Sequence, residues 1–390
     1  MSACPYCFTE LPKDQVVFRC VGRCSPRTDE QAERYGRRRA RITPLVTAGI
    51  SPETKKLPTF GVCQQCSQTT SLEVCPTCHR DLQEGWRGVR TFTMTVTGAR
   101  GSGKSVYIAV LIDSLKRYAV KRRVIISEVG ETASLYERNY YERVFDNKAL
   151  AGTLPGFDDV MMWKAEASSS KPFYIIVRDV AGEDVEKLTA EPDPRLSFID
   201  RADLTLFLFD PLMLQQVKQR LDGVIASVDD SRLGDTPEKA LPKVLAQMGS
   251  GHARLAMVVA KFDSLHALGD VGGADALAQA LANPAAHYNW DQTVRRAEMD
   301  AAEAAQFLDA DTAFLDAELR GLLSLLSDPP VTIVADEAAA SRKLAEVRHF
   351  AVSSVGDSAR HADQLTLRGI SPFRILDPVL WGLQRSGYQL

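Results

Sequence analysis

The chain has 390 residues, 45% hydrophobic and 25% charged, with a formal net charge of −3. This is the composition of an ordinary globular protein, long enough for a sizeable core and for two or three domains. It excludes a wholesale nucleic-acid or membrane coat, and no run approaches the ~18 apolar residues of a membrane span. No basic stretch followed by an apolar one opens the chain, which predicts a cytoplasmic protein with reduced thiols. The charge is uneven. Residues 1–90 carry 14 Lys/Arg against 9 Asp/Glu, while the remaining residues are acidic. Arg34, Arg37, Arg38, Arg39 and Arg41 form a basic cluster, read as a solvated linker or as a contact for nucleic acid or an acidic partner.

All eight cysteines lie within the first 78 residues, as the pairs Cys4/Cys7, Cys20/Cys24, Cys63/Cys66 and Cys75/Cys78. Pairs at this spacing place two thiolates on one tight turn, as tetrahedral zinc requires. Eight thiolates make two complete four-cysteine sites, so two structural zinc ions are expected in a small zinc-ribbon-like module over residues 1–88. Short loops close at lower entropic cost. That favours sequential sites, Cys4/Cys7 with Cys20/Cys24 and Cys63/Cys66 with Cys75/Cys78. The alternative is a crossed arrangement joining the first pair with the last. The polar residues 25–62 read as a loop in either case. His79 reads as a surface residue or a spare ligand.

Residues 91–97 alternate apolar and β-branched side chains, the pattern of a strand. The sequence Gly98-Ala99-Arg100-Gly101-Ser102-Gly103-Lys104-Ser105 follows at once. Val106, Ala109, Val110, Ile112 and Leu115 then recur at helical spacing. Strand, GxxxxGKS and helix occur in the order that a phosphate-binding loop requires. Gly98, Gly101, Ser102, Gly103 and Val106 would supply the backbone cradle. Lys104 would reach the β- and γ-phosphates, and Ser105 would ligate magnesium. A second apolar strand, residues 173–177, leads to Asp179-Val180-Ala181-Gly182-Glu183. Asp179 is expected on the magnesium side, and the Gly182 N–H where a γ-phosphate would be sensed.

This order of motifs resembles the translation-factor-like and Ras-like switch GTPases over residues 89–390. The resemblance implies a P-loop NTPase three-layer α/β sandwich with a mostly parallel sheet. It also implies GTP/GDP and magnesium as cofactors. Val258-Val259-Ala260-Lys261-Phe262-Asp263 is similar to the strand and NKxD motif that read guanine, with Ala260 where Asn is usual. Lys261 would cover the base and Asp263 would accept hydrogen bonds from it. Residues 350–355 resemble the strand and the loop that closes over the base, with Ser353 and Ser354 in that loop. A switch threonine is implied between the loop and Asp179, with Thr153 the first candidate and Thr132 the second. More narrowly, the zinc-ribbon start, the segment from Asp179 and Asp377-Pro378-Val379-Leu380-Trp381 resemble bacterial double-GTPase proteins of conflict, or defence, systems.

Two departures bear on mechanism. Glu183 stands where many relatives carry a water-orienting Gln, which predicts slow intrinsic hydrolysis. Arg100 lies inside the loop, where it could act as an arginine finger in cis, point to solvent, or block a partner's arginine. Beyond the loop, an extra strand is expected near 123–127, a helix near 132–150 and a helical insertion at about 265–346. Within that insertion residues 296–326 are helical, and a last helix covers 372–387. Three functions follow: a slow GTPase switch acting on protein partners, with a nucleotide-dependent dimer among its forms; a non-hydrolysing zinc-ribbon adaptor for protein or nucleic acid; or an ATPase of the same fold.

Overall fold

The computed structural model describes residues 2–146, 160–168, 170–214, 217, 234–265, 276–326, 330–356 and 370–390. Seven strands make the main sheet: β1 (Arg90–Thr97), β2 (Val124–Glu128), β3 (Met161–Ala167), β4 (Ser170–Asp179), β5 (Leu204–Phe209), β6 (Arg254–Val259) and β7 (Glu346–Ala351). Their order across the sheet is β7-β6-β5-β1-β4-β3-β2. Strands β4, β1, β5, β6 and β7 pair in parallel, while β3 runs antiparallel to both neighbours. β5 and β6 are almost wholly buried apolar strands, as parallel strands covered on both faces must be. From β1 the chain builds β2 to β4 on one side and β5 to β7 on the other. The direction reverses at β1, and in open α/β sheets such a switch point leaves a crevice beyond the strand ends.

Helix α1 (Lys104–Lys121) leaves β1 through Gly103 and buries twelve of its eighteen residues. Between β6 and β7 a helical insertion includes Thr293–Glu298 and α2 (Ala301–Leu326). The helix read at 296–326 is therefore broken, because Met299 caps the shorter segment in extended backbone. The last helix, α3, is Asp377–Arg385, shorter at its start than expected because Pro378 sits in its first turn. Of the strand and loop read at 350–355, the strand ends at Ala351 and the loop follows. There Ser353 bridges Phe373. The helix expected near 132–150 begins as Thr132–Tyr136 and continues as a π-helix over Glu137–Asp146.

The four-residue cluster of Arg296, Arg374, Asp311 and Asp377 ties the insertion to α3. Arg374 reaches Asp311 at 2.8 Å and Asp377 at 2.5 Å, and Arg296 pairs with both carboxylates. All four are buried, and two cations meet two anions, so no charge is left uncompensated.

The N-terminal residues contradict the loop reading of 25–62. They contain the helix Glu30–Arg34 and the strand Leu45–Gly49. That strand, Gln15–Arg19 and Glu73–Val74 form a three-stranded antiparallel sheet. No helix among the described residues is long and apolar enough to cross a membrane.

Candidate functional site

The glycine-rich loop occupies the crevice at the end of β1. Gly98, Gly101 and Gly103 all adopt positive φ. At Gly98 a Cβ would lie 2.0 Å from the Leu208 carbonyl oxygen, so only glycine lets the loop leave the sheet there. The Lys104 ammonium donates to Gly98 O at 2.8 Å, Ala99 O at 2.9 Å and Ser102 Oγ at 3.4 Å. Burial pushes its pKa down to about 8, against the opposing pull of Asp179 and Glu186. A buried cation held by neutral oxygens at a helix N-terminus suits an anion that would replace them.

β4 brings the second half. Asp179 lies in register with Val96 and accepts from the Tyr140 hydroxyl at 3.1 Å. Gly182 packs so closely on the loop that a Cβ would lie 2.4 Å from the Arg100 N. Glu183 is half-buried in the first turn of Gly182–Glu186. Ser105 is buried one residue into α1, and Val106 is half-buried beside it. Arg100 pairs with Glu186 at 3.2 Å. Gly234 donates its N–H to Arg100 O at 3.3 Å, closing a second layer over the loop. Thr153 lies outside the described residues. Thr132 is buried, and its hydroxyl accepts from the Met162 N–H at 2.8 Å.

A third cluster comes from β5, β6 and β7. Lys261, at φ 51°, donates to Gly101 O at 3.0 Å and to Asp210 Oδ2 at 2.6 Å. Ser353 donates to the Asp263 carboxylate and accepts from the Gly356 N–H at 2.9 Å. Ser354 is half-buried beside them. Ala260 is buried, its N–H bonded to Phe209 O. Sequence reasoning missed Asp210, Glu186 and Gly234. Asp210 had a signal: an Asp-Pro directly after an apolar strand caps a turn, and it accepts from the Leu212 N–H at 2.9 Å. Nothing in the sequence marks Glu186 or Gly234, whose partners are remote along the chain.

The cysteines form two tetrads, Cys4/Cys7/Cys75/Cys78 and Cys20/Cys24/Cys63/Cys66. This is the crossed arrangement, and it corrects the sequential one. Extending the loop between paired knuckles from 13 to 68 residues costs only about 1.5 kcal/mol of closure entropy. Pairing Gln15–Arg19 with Glu73–Val74, and burying the side chains around it, outweighs that cost. The Sγ separations are Cys4–Cys78 3.7 Å, Cys7–Cys75 3.7 Å, Cys20–Cys66 3.6 Å and Cys24–Cys63 3.7 Å. Four sulfurs about 2.3 Å from a tetrahedral zinc would lie close to those spacings, which are far beyond a disulfide's. Phe8, Ser67 and His79, each following the second cysteine of a CxxC pair, share a positive φ that closes the knuckle. Backbone N–H groups of Cys66 and Gln65 bring the Cys63 thiol down to about 6, while desolvation and the neighbouring thiols push Cys24 up to about 12. His79 belongs to neither tetrad; it is half-buried, and its Nδ1 meets Asp29 at 2.9 Å.

The first tetrad is joined to the sheet. Arg178 donates to Tyr6 O, and its guanidinium lies 3.7 Å over the Phe198 ring. Phe8 meets Phe198 edge-on at 5.9 Å. Successive strand residues face opposite ways. Arg178 thus grips the cysteine knuckle, and Asp179 faces the glycine-rich loop.

These features define an α/β protein with a mostly parallel seven-stranded sheet, a glycine-rich loop at its switch point, and two cysteine tetrads able to hold metal. No protein-family profile matches the chain. It is 30% identical over 392 residues to "Putative ESX-1 scaffolding and assembly protein SaeC" of Mycolicibacterium smegmatis, covering 98% of both chains. The chain therefore belongs to the SaeC family. Among solved structures, the Saccharomyces cerevisiae Ski7 GTPase-like domain bound to GTP is 13% identical at a TM-score of 0.26, covering 46% of this chain and 36% of its own. The bacterial dynamin GTPase LeoA from ETEC is 15% identical at a TM-score of 0.25, covering 76% and 33%. This chain spans about a third of those solved chains, and scores this low are no basis for a function.

Proposed function

We propose that this protein is a GTP-binding switch with slow intrinsic hydrolysis that governs the assembly of protein partners. One observation carries the reading: the glycine-rich loop, Asp179 with Gly182, and the Lys261–Asp263–Ser353 cluster converge at the sheet's switch point. Lys104 and the loop N–H groups would hold the phosphates, and Ser105 with Asp179 the magnesium ion. Gly182 would register the γ-phosphate. Lys261, Asp263, Ser353 and Ser354 would enclose the base. Arg100 could act on the γ-phosphate only after leaving Glu186. The two tetrads would each hold a structural zinc, making residues 1–88 a docking arm. A state change at Asp179 would pass through the adjacent Arg178 to the knuckle at Tyr6.

The printed role of the mycobacterial relative, scaffolding and assembly, favours protein partners in a multiprotein assembly. The same role favours a second reading, a nucleotide-bound adaptor that does not turn over. The conflict-system role rests on the sequence resemblance alone. The test is binding and hydrolysis of GTP and ATP by zinc-loaded protein with magnesium. The expected result is a preference for GTP, slow turnover, and loss of binding in Lys104→Ala. Equal or tighter ATP binding overturns the GTP assignment, and tight binding without turnover establishes the adaptor.

A further inference from the structure

The two tetrads use the same chemistry toward different ends. The knuckles of the Cys4/Cys7/Cys75/Cys78 site direct Phe8 onto Phe198 and present the Tyr6 and Cys7 carbonyls to Arg178 and Arg201. That face is an interface already made within the chain. None of the other four cysteines belongs to the apolar cluster that joins this site to the main sheet. Their knuckles carry large apolar side chains into solvent. Val21 is 59% exposed, Phe60 54% and Val62 51%, with Ile50, directly after the strand Leu45–Gly49, also exposed. These four are over a third of the eleven large exposed hydrophobics among the described residues, gathered within 42 positions of the chain. Val21 lies between Cys20 and Cys24, and Val62 directly precedes Cys63. The contacts Cys20–Cys66 and Cys24–Cys63 hold the two segments side by side. A metal there would fix the shape of an exposed surface.

The segments that carry these side chains are basic. Residues 20–28 and 41–70 carry Arg23, Arg27, Arg41, Lys55 and Lys56, all exposed, against Glu53 within them and Asp14 beside them, whose carbonyl accepts from the Ile50 N–H. Exposed apolar side chains on segments of one charge sign mark a recognition surface, and the sign selects an acidic partner. Nucleic acid is disfavoured, because three of the four apolar side chains, Val21, Ile50 and Val62, are aliphatic and Phe60 is the one ring among them on which a base could stack.

We propose that the face around Cys20, Cys24, Cys63 and Cys66 docks an acidic protein segment that carries apolar side chains. This deepens the reading of the module as a docking arm and is independent of which nucleotide the loop binds.

The experiment uses full-length, zinc-loaded protein and fluorescence anisotropy. The probe is a fluorescein-labelled peptide alternating Glu with Leu and Phe. The competitors are the same peptide with Ser for Leu and Phe, and a short single-stranded DNA. The Glu–Leu/Phe peptide binds at least about tenfold more tightly than either competitor. Val21→Ser/Val62→Ser weakens it by about tenfold or more, as loss of a central apolar anchor does. Arg23→Glu/Lys56→Glu weakens it and flattens its salt dependence. Val120→Ser/Ile125→Ser, which alters exposed apolar residues of α1 and β2, leaves it unchanged. Two zinc ions per chain show that each variant is folded. Where Val21→Ser/Val62→Ser fails that check, Phe60→Ser/Lys56→Glu, further from the ligands, decides instead. No binding of the acidic apolar peptide, equal binding of either competitor, or undiminished binding by the apolar variants overturns the proposal. Nucleotide affinity, measured on the same proteins, is expected to stay constant, which separates this proposal's failure from that of the nucleotide reading.

Discussion

The tetrad of Cys4, Cys7, Cys75 and Cys78 is buried and shares one apolar cluster with Phe92, Val96 and the rest of the main sheet. The tetrad of Cys20, Cys24, Cys63 and Cys66 stands outside that cluster, with two of its cysteines half-buried. Around the first, Trp86 donates to Ala3 O at 2.8 Å and packs on Tyr174 at 5.1 Å, and Ala3 donates to Thr91 at 3.0 Å. Around the second, the neighbours are short two-residue ladders and exposed side chains. The same four-sulfur geometry therefore serves as a structural bolt in one place and as a surface frame in the other. What differs is not the sulfurs but what packs on them.

The largest test of that contrast is loss of one ligand from each tetrad. Structural zinc supplies roughly 10–16 kcal/mol of folding free energy, comparable with the whole stability of a domain. Cys75→Ser is expected to lower the main unfolding transition steeply in calorimetry and to release one zinc. Cys24→Ser is expected to release one zinc while moving that transition little. Equal shifts would break the comparison.

Phe8→Ala comes next, since truncating a buried Phe costs about 3–5 kcal/mol, and it should destabilise the main domain without loss of either zinc. A smaller effect is expected from Arg178→Leu. It removes a charged hydrogen bond worth about 1.5–3 kcal/mol and the contact over Phe198. Chemical denaturation measures both, and a silent Arg178→Leu would show that the knuckle does not hold the strand carrying Asp179.

The last prediction concerns the loop beside that strand. Burial has lowered the Lys104 pKa to about 8 from the usual lysine value, so the empty loop loses this proton as pH rises through about 8. Triphosphate would raise that pKa again by direct attraction, so binding takes up a proton above pH 8 and not below it. Affinity should thus be level below about pH 8 and fall above it, by at most about tenfold per pH unit. Titration calorimetry across that range checks the slope. In Cys24→Ser the profile should be unchanged, because that tetrad does not touch the sheet.

Much of the nucleotide-site reading was legible because its residues are neighbours in sequence. Gly98 to Ser105 lie between a strand and a helix that their own periodicity announces, and Asp179 to Gly182 end an apolar strand. Lys261, Asp263 and Ser353 were located by order along the chain, and the structure brings them together. The strand Met161–Ala167 carries a short period-2 signal, Trp163-Lys164-Ala165-Glu166-Ala167, that went unread, whereas β5 escaped notice because an unbroken apolar run has no period to read.

The sequence by itself singled out the loop, the Asp179 strand end and eight paired cysteines, each by local spacing. Only the tertiary structure decided how the cysteine pairs combine, that Asp210 holds Lys261, and that Glu186 holds Arg100. Those choices depend on contacts between segments distant in the chain. Loop length weighs on them only logarithmically, whereas strand pairing and buried side chains weigh on them directly.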